Sequence, residues 1–294
     1  MENPQVSIIL PAYNEEHSIA EDIAVIQGAF EKAEISFEII VVNDGSTDRT
    51  GSIVEAIPEV TLISHASNRG VGAARKTGTR AAQSEWVITS DADGTYPNHE
   101  MPRLVQMLAE HDMVVGSRTG KNVASSWFRW PAKFLIRQLA SYMTRTRIPD
   151  LNSGLRAFRK SVALQYFYLL PDSHSWVSTL TLAFLSNQRS VKFVDVDYYK
   201  RKTGRSSFHP FYDTYNYIQL VIRTIMYFNP LRVFLPLSFI VFGVGAWKTI
   251  HDWFVFHDIG GADVMICVFG AMIAVAGLLA DLMVVLNKKN EDPQ

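Results

Sequence analysis

Hydrophobic residues are distributed very unevenly along this chain, and this limits its possible folds more than any other feature. Roughly the first two thirds mixes charged residues with short apolar runs, whereas the last fifth is nearly continuous hydrocarbon. Residues 264–286 carry a single internal charge, Asp281, and a membrane-spanning helix needs about 20 such residues. The apolar segment 231–247 is shorter. We predict a transmembrane hairpin over 231–287 and a tail over 288–294; a buried hairpin in a water-soluble core is the alternative.

The charges around this hairpin predict its orientation. The connecting segment 251–263 has three aspartates and no lysine or arginine. Basic residues instead flank the outer ends, at Arg223, Arg232, Lys288 and Lys289. Because positive residues are retained on the cytosolic side, we expect a multi-pass protein of the cytoplasmic (inner) membrane, with its N-terminal domain in the cytosol. Lys248 is the exception to this count.

Bulk composition excludes several classes of protein. The net charge is −1 over 294 residues, so the protein has no overall positive electrostatic field that would attract an acidic polymer. We therefore expect no nucleic-acid partner. The single cysteine, Cys267, rules out an intrachain disulfide or a cysteine-based zinc site within one chain. Residues 1–5 lack the basic and apolar regions of a signal peptide.

The N-terminal two thirds alternates short apolar runs with helix-like segments. The apolar runs are 6–10, 38–42, 60–64, 86–89 and 113–115, and the helix-like segments are 18–33, 48–56, 71–81 and 98–110. This alternation predicts an α/β fold, a mostly parallel sheet with helices on both faces. Ligands bind such sheets at the carboxyl ends of the strands. Polar clusters at 13–15, 44–46 and 91–93 fall at those ends.

The cluster Asp91-Ala92-Asp93 has the chemistry of a cation site. Two carboxylates at the mouth of a sheet repel each other unless a cation lies beside them. Hard divalent ions such as Mg²⁺ or Mn²⁺ take oxygen ligands and bridge to phosphates. A D-x-D pair alone is a weak signal, but here it follows an apolar strand and precedes Gly94-Thr-Tyr-Pro97.

With these pieces together, the chain resembles a family 2 glycosyltransferase of the GT-A fold, a Rossmann-like sheet domain. Four stretches carry the likeness, and with later motifs they cover about residues 5–210. They are Pro11-Ala-Tyr-Asn-Glu-Glu16, Val41-Val-Asn-Asp-Gly-Ser-Thr-Asp48, Asn68-Arg-Gly-Val-Gly-Ala-Ala-Arg75 and Asp91-Ala-Asp-Gly-Thr-Tyr-Pro97. Gly70-Val-Gly72 also resembles a dinucleotide fingerprint, but that pattern requires a glycine where Arg75 stands, so we reject a dehydrogenase.

The resemblance implies a nucleotide-sugar site. Asp93 would be the main ligand of a divalent metal, Mg²⁺ or Mn²⁺, and Asp91 would face the nucleotide beside it. Arg75 or Lys76 could reach the phosphates. The remaining positions implied to hold the nucleotide-sugar are Pro11, Ala12, Tyr13, Glu15, Asp44 and Ala92. For residues 44–48, a plain turn followed by a helix N-cap is an equally compatible interpretation.

A later stretch resembles the branch that uses polyprenyl phosphates, the dolichyl-phosphate mannose synthase and undecaprenyl-phosphate glucosyltransferase group. It implies acceptor-side roles for Asp150, Asn152, Ser153 and Arg156. Many family 2 enzymes with hydroxyl acceptors carry an acidic pair here as general base, whereas Asp150 stands alone. A lipid phosphate is already an anion at pH 7, so it needs cationic positioning and no strong base.

Four cations are candidates for that positioning: Arg118, Arg129, Lys133 and Arg201. Residues 199–206 resemble the branch's R-x-x-G-x-S loop, which ends at Ser206. The branch usually has lysine next, where this chain has Ser207, and Arg205 could compensate.

Two segments are predicted to lie on the membrane surface. Residues 126–147 combine basic residues at four-residue spacing with large aromatic residues, which is typical of an interfacial helix. A solvated charged face over a buried one explains the same pattern equally well. Residues 211–230 show a second helical stripe. The predicted division is therefore a domain over 1–210, a juxtamembrane helix over 211–230, and the hairpin and tail described above.

The resulting hypothesis is inverting transfer of a hexose from a UDP-glucose or GDP-mannose type donor to a polyprenyl phosphate. One rival is a processive polysaccharide synthase, although the Q-x-x-R-W signature is incomplete at 126–130. Another is a catalytically silent membrane adaptor that keeps the fold. The identity of the sugar and any homo-oligomer stay open.

Overall fold

The structure, a computed structural model, describes residues 3–118, 144–173, 175–199 and 226–291, together with positions 138, 140–142, 219 and 222. These residues belong to two compact units, 1–220 and 221–294. Of the predicted interfacial helix at 126–147 only the last part is described, and there residues 138, 140–142 and 144 are helical. The loop at 200–206 and most of the predicted helix at 211–230 lie outside the described residues.

The first unit is built on one sheet, which the described strands form in the order β3-β2-β1-β4-β6-β5-β7. The strands are β1 Val6–Ala12, β2 Phe37–Asn43, β3 Val60–Ser64, β4 Trp86–Thr89, β5 Met113–Arg118, β6 Arg156–Arg159 and β7 Val191–Val196. All neighbouring pairs run parallel except those of β6, which runs antiparallel to β4 and β5. The prediction of a mostly parallel sheet is confirmed; β6 and β7 were not predicted.

Helices connect the strands close to the predicted positions. They are α1 Ile19–Lys32, α2 Thr50–Glu55, α3 Val71–Ala81, α4 Met101–Gln106, α5 Lys160–Leu164 and α6 Trp176–Ser186. Short 3₁₀ turns at Asn98–Glu100 and Met107–Ala109 flank α4, so the predicted helix at 98–110 is interrupted. The fold is the α/β class that the alternation predicted.

The core lies against both faces of the central strands. Every residue of β1 is buried, as expected of a parallel strand covered on both faces. Helix α1 buries an apolar stripe that includes Ile19, Ile23, Ile26 and Phe30. Asp22 lies within this stripe and is also buried.

The strand order brings several loops to one edge of the sheet. Central β1 lies between β2 and β4, and its carboxyl end meets theirs: Asp44 N donates to Ala12 O at 2.9 Å. Because β6 is reversed, its first residue Arg156 lies opposite Thr89, the last residue of β4. The turn before β6 therefore joins the loops that follow β1, β2 and β4.

The second unit is a hairpin of two long helices, α7 Leu231–Phe256 and α8 Gly261–Glu291. Both are long and apolar enough to cross a membrane, and most of their apolar side chains are exposed. Close packing joins them, since a Cβ on Gly270 would lie 2.7 Å from Phe242 N. Ser238 Oγ also donates to Gly270 O at 2.8 Å. Small residues at a helix interface are typical of membrane proteins.

Helix α7 extends beyond the predicted end at 247, so the connection is only residues 257–260 and not 251–263. Lys248 and Asp252 lie in this extension and form an ion pair on one helix face. Lys248 also pairs with Asp263, whose side chain is fully buried. Lys248, the exception to the charge count, is thus paired with two carboxylates, one on each helix.

Candidate active site

The Asp91-Ala92-Asp93 turn leaves β4 at the sheet edge. Asp93 Oδ1 accepts hydrogen bonds from Thr95 N at 3.2 Å and Thr95 Oγ1 at 2.6 Å. Gly94 has φ +69°, a left-handed conformation that favours glycine, and it lets the chain reverse directly after Asp93. The Asp93 side chain is half-buried.

Side chains at the start of helix α1 hold this turn through hydrogen bonds. Ser18 Oγ donates to Ala92 O at 2.8 Å, and one helical turn later Asp22 accepts from Gly94 N at 3.0 Å. Asp22 also accepts from Asn98 Nδ2 at 2.9 Å. Burial raises the pKa of Asp22 to about 6, and the neighbouring charge of Asp93 acts in the same direction. The support of this turn by Asp22 was not predicted from the sequence. The one available signal was a carboxylate placed among the apolar residues of α1.

Asp91 is held by a buried cation. Arg75 Nη2 forms an ion pair with Asp91 Oδ1, and the Arg75 guanidinium lies 5.8 Å from the centre of the Trp176 ring. Arg75 Nε is buried without a hydrogen-bond partner among the described residues. Lys76, the next residue on α3, instead pairs with Asp172 at 2.7 Å. Of the two phosphate-binding candidates, Arg75 is the one placed beside the D-x-D pair.

The absence of a side chain at Gly70 and Gly72 lets residues 171–172 pack closely against the start of α3. Gly72 N and Ala73 N donate to Asp172 O at 2.9 and 3.2 Å, so a backbone carbonyl occupies the first turn of α3. A Cβ on Gly72 would collide with the backbone of Pro171 and Asp172. Close approach of residues 171–172 therefore accounts for the glycines that resembled a dinucleotide fingerprint.

The loops after β1 and β2 form the opposite side of the site. Pro11, Ala12 and Glu15 are buried, whereas Tyr13 is exposed. Asp44 is also buried, and its oxygens accept from Arg69 N at 3.0 Å and Gly70 N at 2.8 Å.

His65 completes the surroundings of Asp44. Its Nδ1 lies 2.6 Å from Asp44 Oδ1, and its Nε2 lies 3.0 Å from Thr77 Oγ1. Asp44 thus joins the end of β2 to the Arg69-Gly70 turn. Its predicted contact with a nucleotide stays a prediction, as do those of Pro11, Ala12, Tyr13, Glu15, Asp91 and Ala92.

On the acceptor side, Arg118 at the end of β5 forms a two-pronged ion pair with Asp150. Its Nε and Nη2 lie 2.7 and 3.0 Å from the two carboxylate oxygens. Asp150 also accepts from Asn152 N at 3.0 Å. Burial alone would raise the pKa of Asp150, but the hydrogen bond and charge of Arg118 outweigh it and lower that pKa. Burial likewise opposes the charge of Arg118, yet Tyr96 and Asp150 hold its pKa above the usual range.

Arg156 is a buried residue of the scaffold. It is fully buried on β6, where Nε donates to Ser153 O at 3.1 Å and Nη1 to Thr181 Oγ1 at 2.9 Å. Burial, together with the nearby charge of Arg75, lowers its pKa to about 9. Two other residues were predicted to lie on the acceptor side. Ser153 is also buried, and the Asn152 side chain accepts a hydrogen bond from Ser178 Oγ at 2.6 Å. Arg156 therefore holds the turn 152–154 through Ser153 O, and its role at an acceptor site stays a prediction.

Tyr96 connects the residues predicted to bind the donor with those predicted to bind the acceptor. Its ring is buried, and its hydroxyl accepts from Gly154 N at 2.7 Å. Gly154 in turn packs on Asp91, since a Cβ there would lie 2.6 Å from Asp91 Oδ2. The sequence motif contained Tyr96, but this contact spans 58 positions and was not predicted.

The carboxylates fit a divalent metal only together with a substrate. The described residues contain no cluster of three or more His, Cys, Asp or Glu side chains able to hold an ion. Mg²⁺ sites of one or two carboxylates are completed by water and substrate phosphates. Asp93 and Asp91 suit that arrangement, with Arg75 competing for Asp91. The remaining predicted residues Arg129, Lys133, Arg201 and Ser206 lie outside the described residues.

Solved structures share this architecture. Glucosyl-3-phosphoglycerate synthase from Mycobacterium tuberculosis, in complex with UDP, superposes with a TM-score of 0.57 at 19% identity, over 76% of this chain and 80% of that one. Residues 1–349 of TarS from S. aureus, in complex with UDP-GlcNAc, give a TM-score of 0.53 at 23% identity, over 76% and 66%. The fold is therefore the GT-A fold.

The chain belongs to glycosyl transferase family 2, whose family description matches residues 7–167. Residues 229–286 match a second family, the GtrB C-terminal hairpin. The long apolar helices and this match make it a membrane protein.

Curated relatives carry the name undecaprenyl-phosphate 4-deoxy-4-formamido-L-arabinose transferase. One from Pseudomonas aeruginosa (strain LESB58) is 35% identical over 53% of this chain and 48% of its own length. One from Pseudomonas fluorescens (strain Pf-5) is 30% identical over 82% and 70%. The chain spans about half the length of the first relative.

Proposed function

We propose that this protein transfers a sugar from a nucleotide-sugar to a polyprenyl phosphate, with inversion at the anomeric carbon. A lipid phosphate oxygen forms a bond to that carbon while the bond to the nucleotide diphosphate breaks. The bonding electrons leave with the diphosphate, so no proton has to be removed from the acceptor.

The state of Asp150 is the observation that carries this proposal. A hydroxyl acceptor must lose its proton to a base as it attacks. Asp150 stands where hydroxyl-transferring relatives are expected to hold an acidic pair, yet its carboxylate accepts from the Arg118 side chain and from Asn152 N. Arg118 also lowers its pKa, which makes it a weak base. Such a site suits an acceptor that arrives already ionised.

The acceptor phosphate needs positive charge near the donor diphosphate. Arg118 is half-buried at the sheet edge and keeps hydrogen-bonding capacity beyond its two contacts with Asp150, because guanidinium has five N–H donors. Arg129, Lys133 and Arg201 are proposed to add charge on the strength of their motifs. The names of the curated relatives, which specify undecaprenyl phosphate, support the same acceptor class.

On the donor side, Asp93 and Asp91 are proposed to hold Mg²⁺ or Mn²⁺ against the diphosphate. A bound divalent ion would neutralise charge that develops on the leaving group. Arg75 fixes the orientation of Asp91 and adds a positive charge beside it. A fold relative was crystallised with Mn²⁺ and UDP-glucose, and another crystal of it held Mg²⁺ and UDP.

The hairpin is proposed to anchor the domain in the cytoplasmic membrane, with the sugar-transfer domain on the cytosolic face. Basic residues flank the outer ends of α7 and α8, while Asp258 lies in the connecting turn and Asp263 in the first turn of α8. That distribution follows the positive-inside rule. Anchorage would confine the domain to the surface where a polyprenyl phosphate headgroup is found.

The decisive experiment compares two acceptors of equal chain length, a short polyprenyl phosphate and the corresponding polyprenol. The purified protein is incubated with Mn²⁺ and each of a panel of donors: UDP-glucose, GDP-mannose and a UDP-aminopentose. Products are identified by mass and anomeric configuration. We expect one donor to glycosylate the phosphate with inversion and leave the alcohol unmodified. Transfer to the alcohol at a comparable rate, long polymer, or no product from any donor would contradict the proposal.

A further inference from the structure

The Tyr96 side chain lies between three parts of the site. Its hydroxyl accepts from Gly154 N at 2.7 Å and lies 3.5 Å from Ser153 Oγ, both on the acceptor-side turn. Its ring meets that of Tyr198 edge-on, with centroids 5.2 Å apart. It belongs to the same loop as Asp93, which directs its carboxylate toward Thr95.

Gly154 carries the contact onward to the donor side. A methyl group at this position would lie within 2.6 to 2.9 Å of the Asp91 carboxylate, so backbone and carboxylate are already packed together. The Tyr96 hydroxyl and Asp91 therefore contact the same residue. Movement of Asp91 toward this turn would therefore displace Gly154, and the hydrogen bond from Gly154 N to Tyr96 opposes that displacement.

Tyr198 links the same tyrosine to the cationic side of the site. The Arg118 guanidinium lies 5.3 Å from the Tyr198 ring centre, within the range of a cation–π contact. The backbone adds a parallel connection, since Tyr199 N donates to Thr95 O at 2.8 Å. Arg118 and the loop that carries Asp91 and Asp93 are thus joined through two aromatic rings in edge-to-face contact.

The Tyr96 hydroxyl stays protonated near neutral pH, so it remains available to Gly154 N. Burial raises the pKa of Tyr96 to about 12, so the hydroxyl is neutral at physiological pH. Breaking its bond would leave a buried Gly154 N–H without this acceptor, which is costly in a protein interior.

We infer that Tyr96 is a positioning residue through which donor and acceptor binding are coupled. The inference rests on the proposed function. Its hydroxyl holds the 152–154 turn against Asp91, so occupation of either side favours the arrangement that the other side binds. Coupling of this kind is reciprocal, since each ligand must change the affinity of the other by the same factor.

The test measures the dissociation constant of UDP with Mn²⁺ by calorimetry on the full chain, with and without farnesyl phosphate. UDP carries no sugar, so no turnover occurs; GDP replaces it if UDP does not bind. For the wild-type protein we expect the lipid phosphate to tighten nucleotide binding about fivefold or more, and farnesol to leave it unchanged. In Tyr96→Phe the ring remains and the ratio should fall below about twofold. Tyr168→Phe, which removes the hydroxyl of an exposed tyrosine, should keep the wild-type ratio.

A second variant tests the contact from the other side. Gly154→Ala pushes a methyl group toward the Asp91 carboxylate and should weaken nucleotide binding about tenfold even without lipid, in a variant that still unfolds in a single cooperative transition. A wild-type ratio of one, an unchanged ratio in Tyr96→Phe, or unaltered binding in Gly154→Ala would overturn the inference while leaving the proposed function intact. A wild-type protein that binds neither nucleotide with Mn²⁺ would overturn both.

Discussion

Arg118 and Asp150 form a two-pronged ion pair across 32 positions of sequence, with N–O distances of 2.7 and 3.0 Å. The pair joins the end of β5 to the turn that leads into β6. It thereby fixes Arg118, the one described member of the four cations proposed to position the acceptor phosphate, since Arg129, Lys133 and Arg201 lie outside the described residues.

Replacing Asp150 with asparagine should destabilise the protein by about 1–3 kcal/mol, because it leaves the half-buried charge of Arg118 without its anionic partner. Asp172→Asn breaks an ion pair whose carboxylate is 58% exposed, and such pairs contribute about 0–1 kcal/mol. Thermal unfolding in detergent measures both. Equal losses in the two variants would show that Arg118 does not depend on Asp150.

Asp93→Asn should abolish sugar transfer, because a neutral amide is a poor ligand for a hard cation. The fold should persist, since Asn retains an oxygen that can accept from Thr95. The comparison is Asp258→Asn in the exposed hairpin turn, which should keep full turnover. Turnover by Asp93→Asn within tenfold of wild type would argue against Asp93 as a metal ligand.

Asp22 should make stability depend on pH between about 4 and 6. Its folded pKa is raised from 3.8 to about 6, so the fold favours the protonated acid. The corresponding stability is complete below the unfolded pKa and is lost as pH rises through 6, by roughly 2–3 kcal/mol.

Asp22→Asn removes this titration. We therefore expect the melting temperature of wild type minus that of the variant to be larger at pH 4.5 than at pH 7.5, measured with EDTA. Titrating groups that do not interact with Asp22 contribute equally in both proteins, so their contributions cancel. A difference that stays constant or grows with pH would contradict the prediction.

Gly72→Ala should cost about 1–3 kcal/mol, as expected for an added methyl group in a closely packed site. The new Cβ would displace residues 171–172 from the first turn of α3. Gly28→Ala is the matched change on α1, where nothing lies within 4 Å of the added atom. There alanine should stabilise by about 0.5–1 kcal/mol. Chemical denaturation measures the change in unfolding free energy of each variant. If both variants were destabilised, or both stabilised, the packing explanation would be excluded.

Local patterns predicted the central sheet well, because buried parallel strands must be short and continuously apolar. The predicted run at 6–10 lies within β1, every residue of which is buried, and the run at 86–89 matches β4. The same reasoning missed β6, where Arg156 and Arg159 interrupt the apolar pattern. Arg156 tolerates burial because backbone and hydroxyl oxygens accept its protons, and sequence spacing does not reveal such distant acceptors.

In the candidate site, too, some residues could be predicted from the sequence and others could not. Asp91 and Asp93 were recognisable from their order after an apolar strand, since the strand end places them at the sheet edge. Their supports were not recognisable, because Asp22, Arg75 and Tyr96 act through contacts that depend on how α1, α3 and β6 are arranged. Lys76 was an equal candidate in sequence, and only helix geometry separates it from Arg75.

The double pairing of Lys248 has a consequence for how the hairpin is inserted. With its ammonium group shared between Asp252 and Asp263, the short turn would travel through the bilayer as a compact unit carrying no unbalanced positive charge. Removing both acids would leave Lys248 without either partner at this end of the hairpin, where its positive charge would act as a retention signal and favour failed or inverted translocation.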